Sequence, residues 1–362
     1  MTPDPSASSP IFPPAQAHDI IVVGASAGGV EALAEFASRL PAGLPAAILI
    51  VLHMPAYGHS VLPDILNRRG PLPASHPKDG EPIEPGRIYV APPDHHLLVR
   101  EGRILLTRGP AENNHRPAVD ALFRAAARTY GPRVTGVILS GTLDDGTAGL
   151  QAIKMRGGVA LVQDPAEAMF AGMPRSAMEN VAVDAVQPLA ALTATIVRLA
   201  GTAAQEGRPV LPQLEEDVAV AEMHLDALEG RREGRPSSFS CPDCHGVLWE
   251  ISEGDLIRFR CRVGHAFSPE SLFACQSEGL EEALWVALRA LEESAALAER
   301  LQTRSTERGH VLSAQRFAEQ ASDARTRAGI IHEALTGGQI IADPNLKTSS
   351  AASGTAGSEA DR

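Results

Sequence analysis

The segment from Asp19 to Gly29 constrains the fold most, because it predicts a buried strand, a tight glycine turn and the start of a helix. The apolar run Asp19-Ile-Ile-Val-Val23 leads directly into Gly24-Ala-Ser-Ala-Gly-Gly29. A dinucleotide-binding turn would carry glycine where Ser26 stands, since the backbone there must approach a pyrophosphate. The Ser26 hydroxyl would instead lie beside the free N–H groups of a helix N-terminus, which favours a serine nucleophile with an oxyanion site. Capping of the helix by Ser26 is the alternative.

Two later apolar runs also end in polar side chains suited to acid–base chemistry. Residues 46–52 form a continuous apolar run that ends at His53, and the run 134–139 is followed by the pair Asp144-Asp145. Continuous apolar runs of this length are typical of parallel strands buried on both faces. Because the carboxyl ends of such strands meet at one sheet edge, Ser26, the histidine and an aspartate can come together there. These residue types match the nucleophile, base and orienting acid of a hydrolytic triad, whose order along the chain varies.

Between residues 19 and 200 the sequence alternates apolar strand patterns with amphipathic helix patterns. This alternation predicts an α/β fold, with a doubly wound, mainly parallel sheet and helices on both faces. A hairpin over 95–108 that turns at Glu101-Gly102 interrupts it. The predicted strands are 19–24, 46–52, 86–91, 134–140, 159–163 and 181–186, and the predicted helices are 28–40, 60–69, 117–130, 146–156, 174–180 and 188–200.

Five short motifs in this region occur in the order found in one known family. They are Gly24-Ala-Ser-Ala-Gly-Gly29, His53-Met-Pro55, Arg116-Pro-Ala-Val-Asp-Ala-Leu-Phe123, Ser140-Gly-Thr-Leu-Asp-Asp-Gly146 and Phe170-Ala-Gly-Met-Pro174. On these motifs residues 19–200, roughly half of the chain, resemble the catalytic domain of CheB-type protein-glutamate methylesterases. The resemblance implies removal of methyl groups from glutamate esters on methyl-accepting chemotaxis-type receptors, with deamidation of receptor glutamines as a second activity.

By position within these motifs, Ser26 matches the family nucleophile and His53 the base. Asp145 rather than Asp144 matches the acid, because the family acid directly precedes a glycine. No cofactor is implied for this chemistry. The sequence His115-Arg116, at the opening of the next helix, is a further site candidate, for which an ordinary helix N-terminal position is the alternative.

The oxyanion side of this candidate site departs from the family pattern. The backbone N–H groups of Ala27 and Gly28 are the predicted oxyanion donors, with one near Thr142 as a third. The family carries threonine where Ala27 stands, and glycine-methionine-glycine where Gly141-Thr-Leu143 stands. Backbone donors survive these changes, whereas the shape of the loop and its fit to substrate need not.

The N-terminal segment and the length of the apolar runs limit how the protein is controlled and where it acts. Well-known family members carry a receiver domain before the catalytic domain, whereas 18 residues precede the first strand here, so control by an attached receiver is not expected. Residues 1–18 predict a disordered tail and lack the features of a signal peptide. No apolar run is long enough to span a bilayer, so we expect a cytoplasmic protein without membrane insertion.

The net charge of −12 is unevenly distributed along the chain. Residues 1–200 carry 18 acidic and 16 basic side chains, whereas residues 201–362 carry 26 and 16. This balance argues against nucleic acid as a partner.

All four cysteines lie after residue 240, beyond a predicted linker over 201–238 that holds one short helix. In the module 239–268, Cys241, Cys244, Cys261 and His265 have the spacing of a tetrahedral metal site. A hairpin is predicted between the two ligand pairs. Four protein ligands leave no open position, so the site is interpreted as a structural zinc that stabilises a zinc-ribbon-like module too small for much core. A disulfide framework and replacement of His265 by Cys275 are the alternatives.

Residues 269–336 predict a helical hairpin, because two amphipathic stretches are separated by Arg308-Gly309. Packing of the helices on each other or on the cysteine-rich module is one interpretation of their apolar stripes. Docking of other signalling proteins, or dimerisation, is the other. The polar segment 337–362 predicts a second disordered tail.

Three functions of different classes are compatible with these observations. The first is a serine hydrolase that demethylates receptor glutamates. The second is a regulatory binding module whose altered loop at 141–143 has lost turnover; the intact set of Ser26, His53 and Asp145 argues against it. The third is a nucleotide-binding protein, against which the serine in place of the middle glycine argues.

Overall fold

The computed structural model describes residues 17–224, 234–253 and 256–337. The predicted tails 1–18 and 337–362 therefore lie almost wholly outside the described residues. Two compact units are distinguished, one that reaches Cys275 and one that starts at Gln276. The first unit contains both the α/β domain and the cysteine-rich module.

A seven-stranded sheet forms the centre of the first unit. Its strands are β1 (Ile20–Ala25), β2 (Ala47–Leu52), β3 (Ala74–Ser75), β4 (Ile88–Val90), β7 (Val134–Ile138), β8 (Val159–Gln163) and β9 (Ala185–Gln187). They follow the order β3-β4-β2-β1-β7-β8-β9, and every pair is parallel. The chain winds outward in one direction from β1 to β2 and in the other from β1 to β7. Ligand sites form at such a reversal of strand order, beyond the carboxyl ends of the strands.

Helices cover both faces of the sheet, so its central strands are apolar on both sides. In β1, Ile20 and Val22 belong to one buried cluster, and Ile21 and Val23 belong to the other. Helices α3 (Val119–Tyr130), α4 (Thr147–Met155), α5 (Gly172–Asn180) and α7 (Pro212–Ala221) pack in the first cluster, and α1 (Gly29–Ser38), α2 (Leu62–Arg69) and α6 (Leu189–Leu199) in the second. A hairpin of β5 (His96–Arg100) and β6 (Arg103–Thr107) lies against α3.

The predicted fold class is confirmed, as is the alternation of strands and helices. Most predicted boundaries agree to within about two residues, an ordinary disagreement for element ends. The last strand is the exception, since the structure places it at Ala185–Gln187 and the prediction placed it at 181–186. The two-residue strand β3 was not predicted at all.

The cysteine-rich module is a four-stranded antiparallel sheet. Its strands are β10 (Arg235–Ser240), β11 (Val247–Glu253), β12 (Leu256–Cys261) and β13 (Ala266–Phe267). Its buried apolar cluster has six members, two of them cysteines: Cys241, Leu248, Phe259, Cys261, Phe267 and Leu272. The segment 201–238, predicted as a linker, contributes α7 to the core of the α/β domain and β10 to the module.

Two long helices, α8 (Pro269–Glu307) and α9 (Val311–Thr336), follow the module and form the predicted hairpin. The turn between them contains Gly309 with a φ of 72°. In the second unit the buried side chains are mainly alanines, and Arg325 forms an ion pair with Glu299. Leu280, in the first of the two amphipathic stretches, is exposed. None of the helices within the described ranges combines the length and apolarity needed to cross a bilayer.

Candidate active site

Ser26, His53 and Asp145 lie together at the carboxyl edge of the sheet, each just beyond a strand. Ser26 follows β1, and its backbone N–H donates to the carbonyl of Ser140 beyond β7 (2.9 Å). The His53 N–H donates to the Ala25 carbonyl (3.1 Å), so the end of β2 is tied to the end of β1. These backbone contacts bring together side chains that are far apart in sequence.

A continuous hydrogen-bonded chain links the three side chains. The Ser26 Oγ is 3.1 Å from His53 Nδ1, and His53 Nε2 is 2.7 Å from Asp145 Oδ2. For Asp145 to accept a hydrogen bond as a carboxylate, His53 must carry its proton on Nε2, which leaves Nδ1 free to accept the Ser26 proton. The ring therefore uses its two nitrogens in the opposite sense to the serine-protease triad. The geometry suits a general base beside a serine nucleophile.

Asp145 is 2% exposed and is held by four donors. Besides His53, its carboxylate accepts from the N–H groups of Val119 (2.7 Å) and Asp120 (3.2 Å) and from Asn113 Nδ2 (3.0 Å). Burial alone would raise the pKa of Asp145, but the hydrogen bonds that its carboxylate accepts, first of all the one from His53, hold the pKa well below its usual range. Asp145 is therefore a fixed anion behind the imidazole.

Two residues of the loop before α3 complete the surroundings of the imidazole. The His115 ring stacks on the His53 ring with centroids 3.6 Å apart, and burial lowers the pKa of His115 to about 4. A neutral His115 ring therefore covers the His53 ring and does not compete with it for a proton. Arg116, the neighbouring site candidate, forms an ion pair with Asp94 (2.6 Å) and donates a hydrogen bond to the Gly109 carbonyl. These contacts hold the loop before α3 in place.

Asn113, which no sequence motif indicated, lies between two carboxyl groups. Its Nδ2 donates to Asp145 and also to Asp120 Oδ2 (3.2 Å). Burial and the charge of Asp145 raise the pKa of Asp120 to about 8. The amide therefore donates to two carboxyl groups whose pKa values are shifted in opposite directions.

The predicted oxyanion donors lie at the start of α1. Among the residues that the structure describes, the N–H groups of Ala27 and Gly28 donate to no other group. Gly141 lies directly opposite, since a Cβ there would come within 3.0 Å of Ser26 Cβ and 2.0 Å of Met173 Sδ. Thr142 is exposed beside it. The arrangement leaves two backbone donors next to the serine hydroxyl.

An apolar rim borders this edge of the sheet. Met169 is 65% exposed, yet its Cβ packs over Gly28, where an added Cβ would come within 2.8 Å. Phe170 is also exposed, and its carbonyl accepts from the Gly141 N–H (3.0 Å). These two exposed apolar side chains therefore lie beside Gly28 and Gly141, next to Ser26.

Comparison with known proteins gives this arrangement a family. The sequence model described as CheB methylesterase matches residues 21–196. A relative from Leptospira interrogans, named for protein-glutamate methylesterase and protein-glutamine glutaminase, is 38% identical over 183 residues, which are 50% of this chain and 95% of the relative. The chain belongs to the CheB methylesterase family. The predicted resemblance is thereby confirmed.

Other CheB relatives share only part of their length with this chain. A protein-glutamate methylesterase/protein-glutamine glutaminase from Photorhabdus laumondii is 40% identical over 193 residues, 52% of this chain and 55% of that protein. The chain thus spans about half the length of the first curated relatives it matches. The crystal structure of the Thermotoga maritima CheB methylesterase catalytic domain is 34% identical, with a TM-score of 0.48 over 50% of this chain and 98% of that one.

The loop that departs from the CheB pattern retains a left-handed backbone. Leu143 has a φ of 57°, a conformation that glycine adopts freely and other residues adopt at a cost of about 1–2 kcal/mol. The turn before Asp144 therefore holds a leucine in a backbone conformation that favours glycine, the residue that the motif resemblance predicts at this position.

The cysteine-rich module, beyond the CheB match, brings four potential metal ligands together. The ligand atoms of Cys241, Cys244, Cys261 and His265 all lie within 4.8 Å of one another. The Sγ atoms of Cys244 and Cys261 are 3.6 Å apart, and His265 Nδ1 is 3.7 Å from Cys241 Sγ and 3.6 Å from Cys261 Sγ. Tetrahedral zinc with Zn–S of about 2.3 Å and Zn–N of about 2.1 Å requires ligand separations of about 3.6–3.8 Å. The donor set fits.

The surroundings of the cluster fit a cation as well. His265 turns its other nitrogen toward Asp243, with Nε2 and Oδ2 3.8 Å apart, as carboxylates do behind metal-bound histidines. No disulfide joins the four cysteines, all of which lie in the described ranges, and Cys275 packs beside the cluster without joining it.

Proposed function

We propose that this chain is a serine hydrolase that removes methyl groups from glutamate methyl esters of chemotaxis-type receptors. The observation that carries the proposal is the hydrogen-bonded chain from the Ser26 hydroxyl through His53 to the buried Asp145 carboxylate. The names of the CheB relatives support the substrate class, and they also support receptor glutamines as a second, amide substrate.

In the proposed acylation step, His53 Nδ1 takes the Ser26 proton while the Ser26 oxygen attacks the ester carbonyl. The N–H groups of Ala27 and Gly28, with the loop at Thr142 beside them, would stabilise the negative charge that develops on the carbonyl oxygen. His53 then returns the proton to the leaving methoxide, so that methanol departs and a glutamyl ester on Ser26 remains.

Deacylation repeats these proton transfers with water as the nucleophile. His53 takes a proton from water, the hydroxide attacks the acyl carbonyl, and the proton returns to the Ser26 oxygen. A free glutamate carboxylate is released. Asp145 keeps the Nε2–H tautomer throughout and stabilises the imidazolium that forms in each half-reaction. No step requires a cofactor.

A regulatory binding module is the second candidate function. The strained Leu143 and the exposed Thr142 favour it, because they alter the side of the loop where an oxyanion would lie. The four donors on Asp145 favour the enzyme, since a binding module has no need of a buried carboxylate aligned behind an imidazole.

Methanol release from a methylated receptor cytoplasmic fragment tests the proposal. We expect release by the wild-type chain, none by the chain after covalent blocking of its active serine with a fluorophosphonate, and none from the unmethylated fragment. A metal-loaded, folded chain whose Ser26 reacts with the fluorophosphonate but which releases no methanol would reject receptor glutamate esters as the substrate. The binding-module function would then remain.

We further propose that Cys241, Cys244, Cys261 and His265 hold a structural zinc ion. When bound, zinc would crosslink the two turns of a module whose apolar cluster is too small to fold alone. We expect the purified chain to bind one zinc ion per molecule, and Co²⁺ in its place to give the absorption of a tetrahedral thiolate site.

Substitution of one ligand tests this metal site. Cys244→Ser is expected to weaken zinc binding by roughly 100-fold or more, because one of four coordinate bonds is lost. Cys275→Ser is the matched control and should leave the stoichiometry at one, since Cys275 lies outside the cluster. Both are measured by metal analysis and competition with a chromogenic chelator. Equal zinc contents in the two variants would contradict the assignment.

A further inference from the structure

The loop that carries Asn113 lies between the triad acid and the cysteine-rich module. On one side, Asn113 Nδ2 donates to Asp145. On the other side, Asn113 Oδ1 accepts from the Ser268 N–H (2.9 Å), and the Asn113 N–H donates to the Ala266 carbonyl (2.8 Å). Ala266 and Ser268 lie one and three residues after His265, one of the four potential metal ligands. One amide therefore joins the two parts of the first unit.

The contact with Ser268 determines which end of the Asn113 amide faces the triad. An amide has one acceptor end and one donor end. Because the Ser268 N–H occupies the acceptor end, the NH₂ group points toward Asp145. The reversed amide would place its oxygen against the Asp145 carboxylate and its NH₂ against another N–H. The side chain is 5% exposed, so solvent offers little compensation for a loss of the Ser268 contact.

A second set of contacts joins the module to the residue next to the triad acid. Ser268 Oγ and Ser271 Oγ both donate to Asp144 Oδ1, over 2.7 and 3.1 Å. The Ala266 N–H donates to the Ala111 carbonyl in the Asn113 loop (3.3 Å). The module thus fixes the backbone on both sides of Asp145: the loop that donates to it and the turn that precedes it.

A third set of contacts is ionic. Asp217 of α7, 1% exposed, lies 2.5 Å from Arg258 Nη2 and 2.6 Å from Arg260 Nη1, both on β12 of the module. Its carboxylate also lies 3.7 Å from Arg124 Nε, and Arg124 pairs with Glu112 beside Asn113. Removal of the acidic or the basic members of such a buried group of charges strongly destabilises the folded protein. The module is therefore held against the CheB domain close to the triad.

We propose that the cysteine-rich module is a positioning element of the hydrolase, which aligns Asp145 through Asn113 only while its metal ligands are bridged by a cation. The inference rests on the proposed function. Six buried residues, two of them ligands, form the apolar cluster of the module, so its fold depends on the metal. Without the metal, the segment from Cys261 to Ser268 loses its anchor, and Asn113 loses the donor that orients it. Asn113 acts through Asp145 and His53 and touches no substrate.

Asn113→Gly tests the positioning role, because glycine keeps the φ of 51° and removes the amide. We expect kcat for a small ester such as p-nitrophenyl acetate to fall roughly 10- to 100-fold with KM nearly unchanged, since misalignment of the triad affects chemistry more than binding. Asn114→Gly is the matched control: Asn114 also has a positive φ (64°), is exposed and should leave kcat unchanged.

Asn113→Asp separates positioning from mere support of the fold. The aspartate keeps an acceptor for the Ser268 N–H, so the module stays docked, but it turns an oxygen toward Asp145. We expect kcat to fall at least as far as in Asn113→Gly while the zinc content stays at that of the wild type, and the melting temperature to fall because the new carboxyl group is buried beside Asp145. If either Asn113 variant keeps the wild-type kcat at a temperature well below its melting transition, Asn113 only supports the fold and the inference is wrong.

Removal of the metal tests the coupling between the cysteine-rich module and Asp145 without a measurement of receptor demethylation. In the full chain treated with chelator, we expect faster amide hydrogen exchange in 111–115, unchanged protection in β1, β2 and β7, and slower labelling of Ser26 by a fluorophosphonate. Zinc should restore all three. A wild-type chain that is never labelled would overturn the proposed hydrolase itself. Labelling at the same rate with and without zinc, while exchange in 111–115 rises, would overturn only the coupling.

Discussion

Replacement of Ser26 by alanine is expected to lower ester hydrolysis by roughly 10⁶-fold, the size of effect that loss of the nucleophile has in other serine hydrolases. The Ser26 hydroxyl is the group from which His53 Nδ1, 3.1 Å away, can take a proton at the carboxyl edge of the sheet. Its loss removes the covalent route and leaves the backbone donors in place. Turnover of p-nitrophenyl acetate and methanol release from the methylated fragment measure the effect.

Two controls make the Ser26→Ala result interpretable. Ser38→Ala changes an exposed serine on the same helix that follows Ser26, and its kcat should equal that of the wild type. The Ser26→Ala protein should also keep its melting temperature, because the hydroxyl contributes one part-buried hydrogen bond worth about 1 kcal/mol. Residual turnover above one-hundredth of wild type in a folded Ser26→Ala protein would show that another group is the nucleophile.

Asp145→Asn is expected to reduce kcat by roughly 10⁴-fold, comparable to the loss of the orienting acid in serine proteases. All four partners of Asp145 are donors, so an asparagine must direct its own NH₂ group at some of them. If the amide oxygen keeps the Val119 and His53 side, the NH₂ faces Asn113 and the Asp120 N–H. If it turns round, the NH₂ faces His53 and selects the tautomer that cannot accept the Ser26 proton.

The pH profile and a surface control check this second prediction. Asp64→Asn changes an exposed carboxyl in the first turn of α2 and should have no effect on kcat. A higher pH should not rescue Asp145→Asn, because the defect lies in the hydrogen-bonding pattern and not in the ionisation of a residual acid. Recovery of wild-type kcat at any pH would contradict the orienting role of Asp145.

The parallel sheet, and the side chains that directly follow its strands, could be predicted from the apolar pattern of the sequence. Val22, Leu49 and Val137 lie in strands apolar on both faces, so the parallel sheet and its carboxyl edge could be read from the pattern. Once the edge is known, side chains that directly follow these strands must lie near one another. That is why Ser26 and His53 could be chosen together from residues 27 positions apart.

The side-chain positions in the loop between β6 and α3 could not be predicted from the pattern of strand ends. Asn113 and His115 lie in irregular backbone, where no period of two or 3.6 residues fixes the direction of a side chain. Their positions depend on backbone contacts made with Ala266, more than 150 residues later in the sequence. His115 could be noted as a candidate, but its stacking on His53 follows from tertiary packing alone.

The charged residues of the sequence did not indicate where the cysteine-rich module lies. Arg258 and Arg260 alternate with apolar residues along β12, a pattern that normally indicates the solvated face of a hairpin. In the structure both are buried against Asp217. Asp217 itself lies in the segment 201–238, predicted from the sequence as a linker. A buried ion pair formed by two such segments is visible only once the chain is folded.

The burial of Asp217 also determines where this chain can be cut or recombined. A fragment ended at residue 200 would deprive Arg124 of a counter-ion, and one ended at residue 224 would deprive Asp217 of Arg258 and Arg260. Removal of one partner of a buried ion pair costs about 3–5 kcal/mol, a large share of the stability of an ordinary domain. A minimal fragment, a fusion or a chimaera with another CheB domain should therefore keep Arg258 and Arg260 together with Asp217. The first compact unit, which contains all three residues, ends at Cys275 within α8.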